Sequence, residues 1–299
     1  MALNQNIKRV IKKIYKMTPL KKCLYTGIKK IYIPKKSITS HLYFNGVFKV
    51  KCGNSRFKMM HYGYQVENMI FWYGLEKGFE KDSIKLWIKL CKEANVIFDI
   101  GANTGLYSLV AKAINPSAKV YAFDPVKRIV DKLRYNINLN EWDIEVVGKA
   151  VSNNNGSAII YDHNIEHIYS ATLNKNFTYS ERGSVETVVE TIKLDTFIEQ
   201  HSLPRVDLIK IDVETYEPEV LEGFSKYLRL YKPAILIEIL TNELGNRIYE
   251  LVKNLGYLYF NINEGGDIKQ QDVITKSEHF NFLFCSPETA KTLELIPEN

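Results

Sequence analysis

The order of apolar and polar positions predicts alternating strands and helices from residue 96 onward in this 299-residue chain. Short continuous apolar runs are typical of strands buried on both faces, and apolar residues spaced three and four apart indicate helices. Seven such runs are the main predicted strands: 96–100, 119–123, 144–147, 206–213, 234–240, 257–261 and 280–285. Because helical patterns separate most of them, we predict an α/β fold with a doubly wound, mostly parallel sheet.

The remaining segments complete this picture. Residues 43–50 and 56–60 alternate in polarity around Gly53-Asn54, which predicts a β-hairpin. The stretch 162–184 is polar and poorly periodic, and such a long loop is usually functional or disordered. Shorter strands are predicted at 150–151, 157–161 and 185–192, and helices at 81–92, 194–200, 218–230 and 243–255. We expect three regions: a basic amphipathic leader (1–40), a hairpin and helix module (41–94) and a main domain (95–299).

Positive charge is concentrated in the leader. The chain has a net charge of +6, yet residues 1–36 hold eleven Lys or Arg and no acid, which leaves −5 for the remainder. Ile7, Val10, Ile11 and Ile14 recur at helical spacing among the lysines, so one helix face is apolar and the other cationic. Such a segment suits an anionic membrane surface. The alternative is a helix packed on its own domain with a solvated lysine face.

Composition narrows the class of protein further. Hydrophobic residues make up 45% and charged residues 25%, as in globular proteins. The four cysteines are scattered, which argues against a zinc site and a disulfide framework. Neither a membrane-spanning apolar run nor the apolar core of a signal peptide is present, so we expect a cytoplasmic protein, peripheral to the membrane if the leader binds lipid. No DNA- or RNA-binding motif accompanies the lysines, so nucleic acid is not an expected partner. No feature predicts an oligomeric state.

Residues 96–124 form a strand, glycine turn, helix, strand and acid, which is typical of nucleoside-binding sites. Asp99 precedes a Gly101-x-Asn103-x-Gly105 turn, and Asp124 follows the next strand about 20 residues on, where an acid can bind both ribose hydroxyls. The glycines let the backbone approach a ligand closely, and Gly105 begins the helix at its dipole-positive end. These five residues are the predicted cofactor-binding set.

Spacing and charge favour S-adenosylmethionine (SAM) as that cofactor. The third glycine of a dinucleotide fingerprint is missing. A carboxylate at Asp99 would repel a pyrophosphate, whereas it suits a ligand that carries a sulfonium and an ammonium. A nicotinamide dehydrogenase and a strand-turn-helix without any ligand are the less favoured alternatives.

Acids also follow later strands on the side where ligands bind: Asp212 with Glu214, and Glu238. Methyl transfer to a hydroxyl needs an aligned acceptor and a general base. We predict Asp212 and Glu214 as candidate bases and Lys210, on the same face of its strand, as a partner of Asp212 or an acceptor ligand. The alternative is a purely structural Lys210–Asp212 ion pair. We predict no metal-binding residue. A divalent metal at Asp212 and Glu214 is the alternative, since oxygen ligands suit magnesium.

Three further residues are predicted to contact the substrate. His163 and His167 in the polar loop could act as base or reach an acceptor sugar, although loop histidines are often only exposed. Glu238 completes the predicted substrate contacts. Glu217, next to Pro218, is expected only to begin a helix.

Four blocks of sequence resemble the FkbM family of SAM-dependent methyltransferases. They are 98–108 (Phe-Asp-Ile-Gly-Ala-Asn-Thr-Gly-Leu-Tyr-Ser), 120–125 with 136–140, 191–195, and 207–214 with 217–223, within about residues 95–265. The resemblance implies a class I SAM-methyltransferase (Rossmann-like) fold with seven strands, the last antiparallel. It implies O-methylation, in family members often of sugar hydroxyls on glycans or natural products. It also places Asp99, Gly101, Asn103 and Gly105 in the SAM site, with Asp124 on the ribose.

Three positions depart from the family pattern. Asp124-Pro125 stands where the family usually has Glu-Pro, Lys193 where it has Thr, and Thr215 where a glycine follows Asp-x-Glu. The missing glycine puts the turn after Glu214 in question and motivates one alternative, a non-catalytic SAM- or glycan-binding protein on the same scaffold. We expect an enzyme that transfers a methyl group from SAM to a saccharide hydroxyl by in-line displacement, with a carboxylate as base.

Overall fold

The N-terminal segment combines helices with a hairpin in the computed structural model, which describes residues 20–163 and 184–297. Its elements are α1 (Lys21–Ile31), α2 (Lys36–Thr39), β1 (Gly46–Cys52), β2 (Ser55–His61), α3 (Gln65–Tyr73) and α4 (Lys81–Cys91). The predicted hairpin is confirmed, with its turn at Gly53-Asn54 between the paired residues Cys52 and Ser55. Helix α3 was not predicted, because its polar residues lie at the start and a continuous apolar run follows them, which shows no clear helical period.

The next part of the chain alternates as predicted. It contains β3 (Val96–Ile100), α5 (Leu106–Ile114), β4 (Lys119–Phe123), α6 (Lys127–Asn138) and β5 (Ile144–Val147). The strands β6 (Ala150–Val151), β7 (Gly156–His163) and β8 (Ser184–Ile192) follow, and they form a small separate sheet in the order β6–β8–β7.

The C-terminal half returns to strands and helices. Its elements are α7 (Leu194–Gln200), β9 (Leu208–Ile211), α8 (Glu217–Glu222), α9 (Ser225–Tyr231), β10 (Ala234–Glu238), α10 (Asn242–Val252), β11 (Leu258–Ile262), β12 (Ile268–Gln271), β13 (Asn281–Cys285) and α11 (Pro287–Thr292). The helix predicted over 218–230 is therefore two helices. A β-carbon at Gly223 would overlap the Ser152 carbonyl oxygen, and the Asp195 carboxylate accepts hydrogen bonds from the Lys226 and Tyr227 amides that begin α9. These contacts with distant residues divide the helix.

The main sheet has eight strands in the order β12–β11–β13–β10–β9–β3–β4–β5. Strands β10, β9, β3, β4 and β5 are parallel, and β13 is antiparallel to both β10 and β11. This order confirms the predicted class I methyltransferase fold with an antiparallel last strand. The eighth strand, β12, extends the edge by pairing with β11. It is mostly polar, as an exposed edge strand can be, and so lacked a signal in the sequence.

Hydrophobic cores cover both faces of the main sheet, because successive strand residues point to opposite faces. One core includes Leu208 and Leu236, and the other includes Ile209 and Ile237. The N-terminal segment packs into the first of these, where Trp72 and Trp87 are fully buried. The boundary at residue 94 stays a prediction, and across it the two regions share one core.

Helix α1 packs on the rest of the chain by one face. Tyr25 is 3% exposed and its ring centroid lies 5.7 Å from that of Trp72. Residues 1–19 of the predicted leader lie outside the described residues. No helix within residues 20–163 and 184–297 has the length and apolar character needed to cross a membrane.

Candidate functional site

A cavity of about 290 Å³ opens at the carboxyl ends of β3, β4, β9 and β10. One wall is the turn between β3 and α5, and another comes from the N-terminal segment, through the start of α3 and the residues just before α4. Asp99, Asp124, Asp212, Glu214 and Glu238 all line it. The sheet therefore brings the predicted strand-end acids to a single cavity, as expected for ligands at this edge of a parallel sheet.

The glycine turn has the close-packed backbone that its sequence predicts. Gly101 has φ +78, and a β-carbon there would overlap the Asp212 carbonyl oxygen. Gly105 has φ +93, and a β-carbon there would press against Leu133. Asn103 also takes a positive φ of 50. Gly101 and Asn103 line the cavity, whereas the glycine requirement at Gly105 comes from helix packing, so its cofactor contact stays a prediction.

Asp99 is almost fully buried at 2% exposure and holds the first turn of α5. Its Oδ2 accepts hydrogen bonds from the Ser108 amide (2.9 Å) and hydroxyl (2.6 Å). Burial raises the pKa of the Asp99 carboxyl to about 6, although the Ser108 hydrogen bonds lower it. Asp99 thus fixes the scaffold under the cavity, and direct cofactor binding by its carboxylate stays a prediction.

Asp124 lies just after β4 and faces the glycine turn. Its Oδ2 accepts the Asn103 amide at 3.2 Å and its Oδ1 accepts the Val126 amide at 2.9 Å. Sequence reasoning missed the apolar wall beyond it, which consists of Val126, Ile129, Val151 and Ile160. Two of these come from the small second sheet, whose position next to the cavity has no signal in the sequence.

Lys210 is buried beneath the opposite end of the cavity. It is 1% exposed, its Nζ lies 3.1 Å from Asp212 Oδ2, and it sits over the Tyr107 ring. Burial opposes its charge, but Asp212, Glu80 and Glu238 outweigh burial and raise the pKa of Lys210 above its ordinary value. The predicted Lys210–Asp212 pair is present, and Lys210 carries a stable positive charge among several acids.

Glu80 is a cavity residue that sequence reasoning missed. It precedes α4 with a positive φ of 43, which is uncommon outside glycine, and it accepts a 2.5 Å hydrogen bond from the Tyr107 hydroxyl. Burial raises the pKa of Glu80, although Lys210 lowers it. Tyr107, in the first turn of α5, follows the glycine turn so closely in sequence that a place in the cavity could have been predicted for it. No such signal marks Glu80, which lies 27 residues earlier.

The turn after β9 keeps a glycine-like backbone despite Thr215. Glu214 and Thr215 have φ values of 55 and 75, in the left-handed region that glycine favours. Glu217 begins α8, as predicted, and its Oε1 also accepts the amides of Val213 (3.3 Å) and Thr215 (3.2 Å). Burial raises the pKa of Glu217 to about 8, with Asp212 adding to the effect. Glu217 therefore holds the turn that carries Glu214.

Glu238 ends β10 beside this group. Burial raises the pKa of its carboxyl, and the negative charge of Asp212 raises it further. Alternation along the strands places Asp99, Lys210 and Glu238 on one face of the sheet, in neighbouring strands. Lys210 is thus a buried cation that pairs with Asp212 and whose charge Glu80 and Glu238 also stabilise.

The remaining predicted positions are less fully described. His163 ends β7, and only its backbone is described. His167 lies outside the described residues. In the described part of the chain, no group of three or more His, Cys, Asp or Glu side chains is arranged to hold a metal ion.

Sequence comparison finds methyltransferases among the relatives of this chain. The chain is 27% identical over 150 residues to hexuronic acid methyltransferase AglP of Haloferax volcanii. The aligned region covers 50% of this chain and 58% of that protein. The chain is also 31% identical over 156 residues to methyltransferase sdnD of Sordaria araneosa. This aligned region covers 44% of the chain and 60% of that protein. The chain thus spans less than two thirds of these curated relatives.

A solved structure and a family model complete the comparison. The crystal structure of an FkbM methyltransferase from Methylobacillus flagellatus matches with a TM-score of 0.41 and 16% identity, over 64% of this chain and 43% of that one. The model of the methyltransferase FkbM domain matches residues 99–259, more than half of the chain. That range begins at Asp99 and holds the glycine turn, Asp124 and the Lys210–Asp212 pair, and by this match the chain belongs to the FkbM methyltransferase family.

Proposed function

We propose that this protein is a SAM-dependent O-methyltransferase that acts on a saccharide hydroxyl. The observation that carries the proposal is the cavity itself, in which a glycine turn, a ribose-competent acid and a cluster of carboxylates meet at the carboxyl ends of parallel strands. Bound SAM supplies an electrophilic methyl group on a sulfonium. A positively charged ligand without phosphate suits a cavity lined by this many acids.

The residues fit such a donor at three places. The Asp124 carboxylate, held by two backbone amides, is positioned to accept from ribose hydroxyls. The wall of Val126, Ile129, Val151 and Ile160 offers an apolar slot for a purine ring. Gly101 and Ala102 line the cavity with backbone that is anchored by hydrogen bonds to the Phe123 carbonyl, which leaves room for a closely approaching ligand.

Asp212 is the best-placed general base. It lines the cavity, its side chain is 33% exposed, and the Lys210 ammonium holds one of its oxygens. In this assignment Asp212 takes the proton of the acceptor hydroxyl, while Lys210 orients Asp212 and stays protonated. Glu214, which also lines the cavity, is the second candidate for the same role.

The charges favour a hydroxyl acceptor over a carboxylate. The relative AglP is named for hexuronic acid, whose carboxyl would bring a further negative charge. Here Glu80, Asp212 and Glu238 surround one lysine, and burial already raises the pKa of Glu80 and Glu238. Another carboxylate would be repelled, whereas a neutral hydroxyl needs the base that this cluster provides.

The experiment is incubation of the protein and SAM with neutral and uronate-rich glycan extracts. We expect release of S-adenosylhomocysteine above background with the neutral extract and a 14-dalton increase in the acceptor, roughly the mass of one CH₂ gained in the transfer. Binding of SAM without release across broad extracts would instead support the non-catalytic alternative. The glycine-like φ of Thr215 weakens the reason for that alternative.

We also propose that the basic leader (1–40) binds an anionic membrane surface. Six large apolar side chains are 42–89% exposed between residues 20 and 38: Leu20, Leu24, Ile31, Tyr32, Ile33 and Ile38. Lysines lie between them, and residues 1–36 contain no acid. Binding to phosphatidylserine liposomes should weaken with salt and with a Leu24→Gln/Ile31→Gln double variant. Unchanged liposome binding after deletion of residues 1–36 would contradict the proposal.

A further inference from the structure

A buried carboxylate from the N-terminal segment reaches the glycine turn. Glu67 lies on α3 and is 0% exposed. Its Oε1 accepts a 3.0 Å hydrogen bond from the hydroxyl of Thr104, which lies between Asn103 and Gly105 in the turn. Glu67 also lines the same cavity. Glu67 is therefore anchored to a turn that lies within the matched FkbM domain, residues 99–259, although Glu67 itself lies outside that range.

The other oxygen of Glu67 is left without a hydrogen bond in the described part of the chain. Oε2 is buried and accepts no hydrogen bond from the residues that the structure describes. A buried carboxylate oxygen without a donor is costly, so native proteins rarely keep one unless a water, an ion or a ligand completes it. Burial raises the pKa of Glu67 to about 8, against the lowering effect of the Thr104 hydrogen bond. Burial thus disfavours the charged form of Glu67 unless a further donor reaches its carboxylate.

Glu67 and Asp124 hold consecutive residues of the same turn. Asp124 accepts the Asn103 amide and Glu67 accepts the Thr104 hydroxyl. The Asn136 side chain donates to the Thr104 carbonyl at 2.8 Å and keeps this turn in place. Glu67 and Asp124 thus anchor neighbouring residues of one turn, and both line the cavity.

We propose that Glu67 is a second donor-binding carboxylate, whose Oε2 accepts a hydrogen bond from the bound S-adenosyl ligand. Three groups of that ligand can donate: the ribose hydroxyls, the adenine amino group and the ammonium of the amino acid part. The inference rests on the proposed function and extends it, because it makes the N-terminal segment part of the donor site.

The test is calorimetric binding of S-adenosylhomocysteine to full-length wild type, Glu67→Gln and Glu76→Gln. Above the raised pKa of Glu67, where its carboxyl is ionised, Glu67→Gln should bind about 10- to 100-fold more weakly, the range for a hydrogen bond to a charged group. Glu76→Gln, at an exposed glutamate shortly after the same helix, should bind as wild type does. The melting temperature of ligand-free Glu67→Gln should not fall, because the variant removes a buried carboxyl and keeps an acceptor for Thr104.

A second ligand tells which part of the donor contacts Glu67. 5′-Methylthioadenosine keeps the adenine and the ribose and lacks the amino acid part. An equal loss for both ligands assigns Glu67 to the nucleoside, and a loss confined to S-adenosylhomocysteine assigns it to the ammonium.

Two outcomes would overturn the inference in different ways. Equal affinities of wild type and Glu67→Gln for both ligands would overturn it and leave the proposed function intact. No binding of either ligand by wild type would contradict the proposed function and the inference together. Should Glu67→Gln fold poorly, Glu67→Asp keeps the charge but shortens the side chain by one methylene, and it should weaken binding in the same direction.

Discussion

The two ends of the cavity hold their carboxylates in different ways. Near the glycine turn, Asp124 accepts two backbone amides, those of Asn103 and Val126. At the other end, Asp212 pairs with the buried Lys210, and Glu80 and Glu238 also stabilise the charge of that lysine. Backbone donors fix an acid in place, whereas acids that share one cation respond to each other's protonation. The first arrangement suits ligand recognition and the second suits proton transfer.

The largest expected effect is at the end that depends on Lys210. Asp212→Asn should slow methyl transfer by about 10²- to 10⁴-fold, the usual contribution of a general base. S-Adenosylhomocysteine affinity should change far less, because Asn keeps the shape of the side chain. Release assays and calorimetry measure the two effects. Glu214→Gln is the companion variant, and a full rate in Asp212→Asn with a large loss in Glu214→Gln would move the base to Glu214.

The second largest expected effect is a loss of stability when Lys210 is removed. Lys210→Met leaves Asp212, Glu80 and Glu238 without their cation and should lower the free energy of unfolding by about 3–5 kcal/mol. Adding Glu238→Gln should restore part of this loss. Urea unfolding measures both. Lys226→Met, which breaks the exposed Lys226–Glu199 pair, is the control and should cost less than about 1 kcal/mol. Equal losses in the two lysine variants would contradict the shared-cation description.

At the end near the glycine turn, where we predict that Asp124 binds the ribose, the expected effect is on binding. Asp124→Ala should weaken S-adenosylhomocysteine binding by about 100-fold or more, because it removes an ionised acceptor of two hydroxyls. Calorimetry measures the change, and Asp131→Ala, at an exposed acid of α6, is the control. Retained tight binding in Asp124→Ala would remove the ribose assignment.

The smallest expected effect concerns the turn that joins the two ends. Glu217 has its pKa raised from 4.5 to about 8, so between these values the folded protein keeps a proton that the unfolded chain has lost. Stability should therefore fall as pH rises from 5 to 8. Glu217→Gln cannot ionise. Relative to wild type, we expect its free energy of unfolding to rise by at least about 1.4 kcal/mol across this range, the equivalent of one unit of pKa.

Thermal unfolding at several pH values tests the Glu217 prediction. Glu243→Gln, at an exposed acid in the first turn of α10, should follow the wild-type pH dependence. A fall with pH that is equally steep in wild type and Glu217→Gln would show that Glu217 is not responsible for it.

The sequence predicted elements whose signal is local. The glycine turn, the acid after β4 and the Lys210–Asp212 spacing follow from short-range geometry, and the structure brings them to one cavity. The split between α8 and α9 and the edge strand β12 were missed, because Gly223 is constrained by Ser152 and β12 by pairing with β11. The left-handed turn at Thr215 was also unexpected, since it depends on the Glu217 carboxylate.

The chain by itself therefore determined the sheet, the turn and the acids at the ends of its strands, because hydrophobic period and glycine spacing act over a few residues. Only the tertiary structure decided which residues complete the cavity. Glu67 meets Thr104 across 37 positions and Glu80 meets Tyr107 across 27. Such contacts arise because the N-terminal segment shares a hydrophobic core with the sheet, and no local pattern records which distant residues that packing brings together.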